Sequence, residues 1–287
     1  ATIVPTPLGG DNVVAARVLG FDHVVDFVLY HHAPITIPAL FVMGIVHYLW
    51  QKYMDKRDAG RMEELETADV AARTTDAPLW YAVFPVLPLV LIFFWLFFKS
   101  AKVGLVEITL FSFALAFVAE LIRKKNPKQS MKDVNLFFKG MGDGFSKVVV
   151  LIVAASTMVA GLKAMGLINA ISGSIAGVEN AKAGLMLAFS GITGLITFIS
   201  GSGNAVFYSF IELIPQIADK AGINPILIAL PMECMSNLFR SMSPVAAVII
   251  IVSASVKVNP LMIVKRTWVP LMSGVVTVLA LSAIRYL

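Results

Sequence analysis

Cysteine is almost missing from this sequence: Cys234 stands alone among 287 residues. An intrachain disulfide and a cysteine-based metal site are therefore both excluded. The four histidines, His23, His31, His32 and His47, all lie near the start, and none shows His-x-x-x-His or a comparable zinc spacing. Charge is scarce as well. Only 14% of residues are Asp, Glu, Lys or Arg, against about 25% in soluble domains. There is no Gly-x-Ser-x-Gly elbow, and the histidines are remote in sequence from the candidate serines, which argues against a hydrolase. No glycine-rich phosphate loop ending in Lys-Ser/Thr occurs, which argues against an ATP-driven pump. The opening Ala1-Thr2-Ile3-Val4-Pro5 has neither an initiator methionine nor the charged and apolar regions of a signal peptide. The expectation is a chain that begins inside a structure, as a fragment or with its N-terminal part elsewhere.

What the sequence does have is apolar length. It is 58% hydrophobic with a mean hydropathy of +0.82. Long apolar runs with sparse charge predict an all-α, polytopic integral membrane protein. The net charge of +5 reads as basic cytoplasmic loops facing a lipid bilayer, with no nucleic-acid partner.

Two Ser/Gly/Asn breaks interrupt the apolar sequence. The first is Ser200-Gly201-Ser202-Gly203-Asn204 and the second is Ser236-Asn237 through Arg240 to Ser243-Pro244. Hydrocarbon tolerates non-helical backbone only where protein or a water-filled cavity satisfies its N–H and C=O groups. Paired breaks of this kind point to a transporter's substrate site. The reading is a re-entrant hairpin over about 184–218 and a broken helix over about 224–256, followed by a final span at 267–287. Spans are also expected at 34–50, 78–98, 103–122 and 148–171. Between them lie a polar linker at 51–77, a turn at 99–102, an interfacial amphipathic helix at 131–146 and a small-residue loop at 172–183. Residues 5–12 are too rich in Pro and Gly to be helical, and a half-helix follows from Val13 to Leu19. The Lys/Arg-rich stretches 51–77 and 123–147 flank one helical hairpin and so share the cytoplasmic side.

The end of the chain also repeats its beginning. Pro7 to Pro34 matches Pro244 to Pro270 in the order of break, short apolar segment, turn, connection and proline-led span. The charge pattern gives the two copies opposite orientations, which predicts an inverted-repeat secondary transporter. In this division 1–50 is the tail of a first repeat, 51–77 a cytoplasmic linker and 78–287 a second repeat. The first repeat would be incomplete, and the chain alone is not expected to transport.

Arg240 is the leading candidate for chemistry. A cation at bilayer depth costs about 2.5–3.5 kcal/mol on insertion scales. Its planar fork matches a carboxylate. The alternatives are snorkelling to an interface or pairing with Glu233 or Glu212. Ser202, Gly203, Asn204, Ser236, Asn237, Ser241 and Ser243 offer neutral donors or free backbone at half-helix ends, which favour anions; capping or helix packing is the competing role. Thr6, Gly9, Gly10 and Asp11 form the corresponding first-repeat break. Asp11 is a candidate ion-coupling carboxylate, with an Asx cap as the alternative. Glu212, which shares a face with Asn204 and Tyr208 at i, i+4, i+8 spacing, is the second coupling candidate.

The chain resembles the DcuC family of anaerobic C4-dicarboxylate carriers. The resemblance rests on Val4-Pro5-Thr6 with Gly10-Asp11, Trp50 to Lys56, Gly201 to Ala205 with Phe207-Tyr208, Glu212 to Pro215, Gly222 to Pro225, Ser236-Asn237 with Arg240 and Ser243-Pro244, and Val264 to Thr267 with Pro270. It covers the whole chain and is similar to the C-terminal three-fifths of such a carrier. It implies an ion-transporter-superfamily fold in a bacterial inner membrane and movement of succinate, fumarate or malate, with protons, or sodium, as coupling ion. By motif, Ser202, Gly203 and Asn204 become the hairpin tip, Ser236, Asn237 and Arg240 the broken helix, and Thr6 and Asp11 their first-repeat counterpart. Pro7-Leu8 makes the first break one residue longer than its partner, which leaves the role of Thr6 open. No cofactor is implied. Dimers are common in the superfamily, so a homodimer is an open expectation. The competing readings are a same-fold carrier of another organic anion or amino-acid derivative, and a truncated, non-transporting membrane protein.

Overall fold

A computed structural model describes residues 3–58, 79–98, 105–124, 127–166, 181–256 and 258–287. The turn at 99–102, most of the linker at 51–77 and most of the loop at 172–183 lie outside the described residues. The described elements are helical, and four helical stretches are long and apolar enough to cross a membrane: Val24–Arg57, Lys182–Ser200, Ile226–Ala254 and Pro260–Tyr286. The chain divides into two compact units, one of residues 1–70 with 151–287 and one of residues 71–150.

The larger unit is built on one helix. We label its elements α1 (Gly10–Val18), α2 (Val24–Phe27), a π-helical turn (Val28–His32), α3 (Ala33–Asp58), α7 (Ala181–Ser200), α8 (Gly203–Ile211), α9 (Ile214–Ala221), α10 (Ile226–Met242), α11 (Ala247–Ser255) and α12 (Pro260–Tyr286). Every residue of α10 from Ile226 to Leu238 is buried. A helix apolar on nearly all sides belongs in a core, and α10 feeds two of them. Ile228 and Met232, one turn apart, pack with Phe27, Phe207 and Ile211. Leu230, Cys234 and Leu238 pack with Ile35, Leu271 and Val275. The remaining strip of α10 carries Glu233, Asn237 and Arg240 at i, i+4, i+7, so they rise along one face.

α12 packs on α3 and α10. At Gly274 a Cβ would sit 2.3 Å from Met43 Sδ, so the absent side chain sets the approach of α12 to α3. Both ends of this pair are pinned by polar contacts. At one end Arg266 Nη1 donates to Asp55 Oδ1 at 2.7 Å and to Gln51 Oε1 at 3.2 Å. At the other, Arg285 Nη2 donates to Tyr30 O at 2.7 Å, and His31 Nδ1 meets Tyr286 Oη at 2.8 Å. The outer face of α3 exposes Ile37, Phe41, Ile45 and Tyr48, spaced as one helical stripe. Such a stripe suits lipid and would be costly in water.

In the smaller unit a 3₁₀ turn, Leu79–Ala82, leads into α4 (Val83–Phe98), which packs on α5 (Leu105–Lys124). The Tyr81 hydroxyl donates to Glu120, and Arg123 holds the same carboxylate while lying 4.9 Å above the Tyr81 ring. Phe113 of α5 stacks on Phe137 with ring centroids 3.8 Å apart.

Several elements differ in extent from expectation, among them α3 and α12, which run over Ala33–Asp58 and Pro260–Tyr286 where spans at 34–50 and 267–287 were expected. α1 begins at Gly10, so Gly10, Asp11 and Asn12 are helical, with the irregular backbone ending at Gly9. α6 is one continuous helix, Pro127–Ala164, where a separate interfacial helix at 131–146 and a span from Val148 were expected. After Pro127 no proline interrupts it, and scattered glycines lower helix propensity by only about 1 kcal/mol each. The hairpin expected from about 184 begins earlier, since α7 runs from Ala181 to Ser200.

Candidate functional site

The two breaks, thirty-odd residues apart in sequence, lie against each other. α7 ends at Ser200 and α8 starts at Gly203, with Gly201 between them at φ 71°. That left-handed conformation favours glycine. A Cβ on Gly201 would lie 3.0 Å from the backbone N and Cα of Ala246, and one on Gly203 would lie 2.1 Å from Ser236 O. The hairpin tip therefore seats backbone to backbone in the interruption between α10 and α11. Only residues without a side chain permit that approach.

This contact brings two helix N-termini side by side. Ser202 is the N-cap of α8 and Ala246 the N-cap of α11, and neither supplies a side-chain capping bond. Orphan N–H groups and the positive dipole end of each helix thus face the junction.

Arg240 enters the same junction from α10. Its Nη1 donates to Asn204 Oδ1 at 3.1 Å and its Nη2 to Asn237 Oδ1 at 3.2 Å. Among the described residues no carboxylate pairs with it, so Glu233 and Glu212 are not its partners. Asn237 turns its amide nitrogen to Asp11, donating to Oδ2 at 3.1 Å. The Tyr208 hydroxyl donates to Asp11 Oδ1 at 3.0 Å. Asn237 is thereby fixed in one amide orientation, its oxygen on a cation and its nitrogen on an anion. α1, α8 and α10 are linked by one polar chain running Tyr208, Asp11, Asn237, Arg240, Asn204. Asp11, Asn204 and Arg240 are half-buried, whereas Asn237 and Tyr208 are buried.

The other expected site residues fall into different places. Ser202 is exposed at the tip, and its backbone N–H donates to Ser200 Oγ at 3.2 Å. Ser236 is buried and its hydroxyl bonds back to Glu233 O at 2.7 Å. Ser243 caps the C-terminus of α10, fully buried, with no partner for its hydroxyl among the described residues. Ser241 bonds back to Asn237 O and lines an apolar groove with Leu40, Met43, His47 and Thr267. Thr6 organises the first break: its hydroxyl accepts from Leu8 N–H, and its carbonyl accepts from Gly9 N–H and Asn12 Nδ2. Glu212 is half-buried and is the C-cap residue of α8.

Two residues outside the sequence reading of the site stand close behind it. Glu233 is 2% exposed and His32 is 1% exposed, with His32 Nε2 3.7 Å from Glu233 Oε1. Nothing near His32 in sequence signals this, because its partner is 201 positions away. The one local cue is the i, i+4 relation of His32 to Thr36.

Comparison with known proteins adds the family. A family model described as "DcuC: C4-dicarboxylate anaerobic carrier" matches residues 1–286. The chain is 34% identical over 279 residues to the anaerobic C4-dicarboxylate transporter DcuC of Escherichia coli K12 and to its namesake in Shigella flexneri, covering 97% of this chain and 60% of theirs. A Vibrio cholerae relative is 36% identical over 288 residues, covering 61% of that protein. The chain thus spans about 60% of the length of the curated relatives it matches. No solved structure matches it. A match along 286 residues, on a helical chain with several membrane-length stretches, leaves one conclusion: this chain belongs to the DcuC family.

Proposed function

We propose that the chain serves secondary active transport of C4-dicarboxylates, such as succinate, fumarate or malate, across a bacterial inner membrane, coupled to protons. The observation that carries this reading is the state of Arg240. A guanidinium at the meeting point of two helix breaks is held by two neutral amide oxygens, with no carboxylate opposite it among the described residues. An arriving carboxylate takes the fork in place of Asn204 and Asn237 and gains charge-assisted bonds. The paired N-termini of α8 and α11 then favour the second carboxylate. Ser202, Gly203 and Ser236 complete the site as tip and wall. Neutral donors hold the anion without fixing a full counter-charge, which suits release on the opposite side. The names of the relatives support the substrate class. Asp11, held by Tyr208 and Asn237, is a candidate coupling group; Glu212 is the second, by its place on the face of α8. An inverted-repeat division at 51–77 would give alternating access about this junction.

The test is uptake of labelled succinate into proteoliposomes, with this chain and with a chimera carrying the preceding part of the Escherichia coli relative. Succinate uptake by the chimera, abolished by Arg240→Ala, is the expected outcome. Absence of succinate, fumarate and malate transport in both proteins would overturn the substrate assignment. Uptake that survives Arg240→Ala would overturn the site.

A further inference from the structure

The pair behind the site holds a proton-binding position that the transport reading does not use. Thr36 sets the hydrogen-bonding state of His32. Its Oγ1 lies 2.9 Å from His32 O and 3.0 Å from His32 Nδ1, and all three groups are buried. A carbonyl oxygen only accepts, so for both contacts to be hydrogen bonds the single hydroxyl hydrogen of Thr36 goes to His32 O. Nδ1 must then carry the hydrogen in its own contact and donate to Thr36 Oγ1. A neutral His32 is therefore the Nδ1–H tautomer, and its Nε2 bears a lone pair.

Nε2 lies 3.7 Å from Glu233 Oε1, while Glu233 Oε2 has no hydrogen-bond partner among the described residues. An ionised carboxylate there would face a lone pair and lack any bond to its second oxygen, buried in the core. Such a charge is strongly disfavoured. One proton between the two groups removes the conflict, either as a carboxyl O–H directed at Nε2 or as imidazolium against carboxylate. Both forms carry the same single proton and the same zero net charge. His32 is presented by the π-helical turn Val28–His32, an irregularity that often accompanies functional sites.

The position also communicates with the substrate junction. Glu233 lies one turn from Asn237 on the same face of α10. Asn237 Nδ2 lies 3.3 Å from Glu233 O while donating to Asp11, and Asn237 Oδ1 accepts from Arg240. The titratable groups facing Glu233 are His32, Asp11 of α1, Tyr208 of α8 and Cys234 on its own helix. Of the other helices packed on α10, α7 carries charge only at Lys182, α9 only at Asp219 and Lys220, and α12 only at Lys265, Arg266 and Arg285. Arg266 and Arg285 are engaged with Asp55 and Tyr30.

We propose that His32 and Glu233 bind a proton that travels with the dicarboxylate, at a position additional to Asp11 and Glu212. This rests on the transport reading above. A dianion docking at Arg240 raises the negative potential one turn away and so favours the protonated pair; by reciprocity the protonated pair favours the dianion. Removing the substrate releases the constraint and lets the proton leave. Only one N–H or O–H bond forms and breaks, and the proton is exchanged with water.

The test uses the whole chain labelled with ¹⁵N-histidine in detergent or nanodiscs, with His32 assigned through His32→Gln. The expected result is a persistent Nδ1–H signal and a proton-linked change at Nε2 with pH. Glu233→Gln should abolish that change, because its amide N–H₂ donates to Nε2 and titrates nothing. Asp11→Asn should shift the midpoint without removing the transition. Saturating succinate should raise the wild-type midpoint by at least about one pH unit, a tenfold gain in proton affinity. An Nε2–H tautomer, or a titration unchanged in Glu233→Gln, would overturn the proton site. A midpoint unmoved by succinate that does raise the melting temperature would overturn the coupling. Absence of any stabilisation by succinate, fumarate or malate would instead count against the dicarboxylate reading and leave the titration of the pair as measured.

Discussion

At the scale of single residues, the proposed site gives Arg240 and Asn237 different roles. Arg240 supplies a fork with two parallel donors, which lysine cannot reproduce with its compact ammonium. Charge-assisted hydrogen bonds contribute about 1.5–3 kcal/mol each, so Arg240→Lys should weaken succinate binding roughly 10- to 100-fold although the charge is kept. Isothermal titration of the two proteins checks this, and equal affinities would make the guanidinium merely a charge. Asn237 is a different kind of residue. It gives its oxygen to Arg240 and its nitrogen to Asp11, so Asn237→Asp would set two carboxylates facing each other. We expect that variant to lose binding at neutral pH and regain part of it in acid, where one carboxyl is protonated. Arg240 and Asn237 were both legible in the sequence, because a charged residue and small polar residues in apolar surroundings are conspicuous. Their partners were not. Asp11 and Tyr208 are 197 positions apart, and no local pattern announces a bond across that distance.

At the scale of elements, the junction depends on close backbone approach. Gly203→Ala puts a methyl group 2.1 Å from Ser236 O, so either the tip or α10 must move. Overpacking of this kind costs about 1–3 kcal/mol, and the mismatch falls at the point where two helix N-termini meet. Thermal unfolding should show a lowered melting temperature for Gly203→Ala, with weaker stabilisation by succinate. A variant as stable and as responsive as wild type would show that the tip does not need its contact with α10. The first break was readable from its Ser/Gly/Asn cluster in apolar sequence, since hydrocarbon penalises free backbone; the second was placed too early, because Ser236, Asn237, Arg240 and Ser241 are helical and the chain leaves the helix only at Ser243. The lengths of neighbouring helices were less legible. α6 continues through the glycines at 140, 142 and 144, because glycine weakens a helix without breaking it, whereas proline removes a donor and clashes.

At the scale of the whole molecule, the decisive partner is the bilayer. Ile37, Phe41, Ile45 and Tyr48 form an exposed stripe on α3, and Cys234, the single cysteine, is fully buried in the core around α10. The native chain should therefore resist maleimide without removal of Cys234. Cysteine placed at Ile45 should stay unreactive toward a membrane-impermeant maleimide in proteoliposomes, and cysteine at the exposed Ser202 should react in the same preparation. Rapid labelling at Ile45 would contradict a lipid-facing α3. The Arg266–Asp55 pair at one end of α3 and α12 is partly exposed, and its removal by Asp55→Asn should change stability by no more than about 1 kcal/mol.

The sequence by itself determined what depends on neighbours along the chain. Apolar length and scarce charge specify a helical membrane protein, the Ser/Gly/Asn cluster at 200–204 marks where one helix stops, and an arginine among apolar residues marks where a charge needs a reason. These are properties of short windows, and each acts locally through hydration and backbone bonding. Tertiary structure alone decided which partners those features acquire. It set the hairpin tip against the broken helix, gave Arg240 two amides in place of a carboxylate, tied Asp11 to Tyr208 and Asn237, and brought His32 to Glu233. Hydrogen bonds and buried charges act over a few ångströms, and only the packing of α10 at the centre brings residues so distant in sequence within that range.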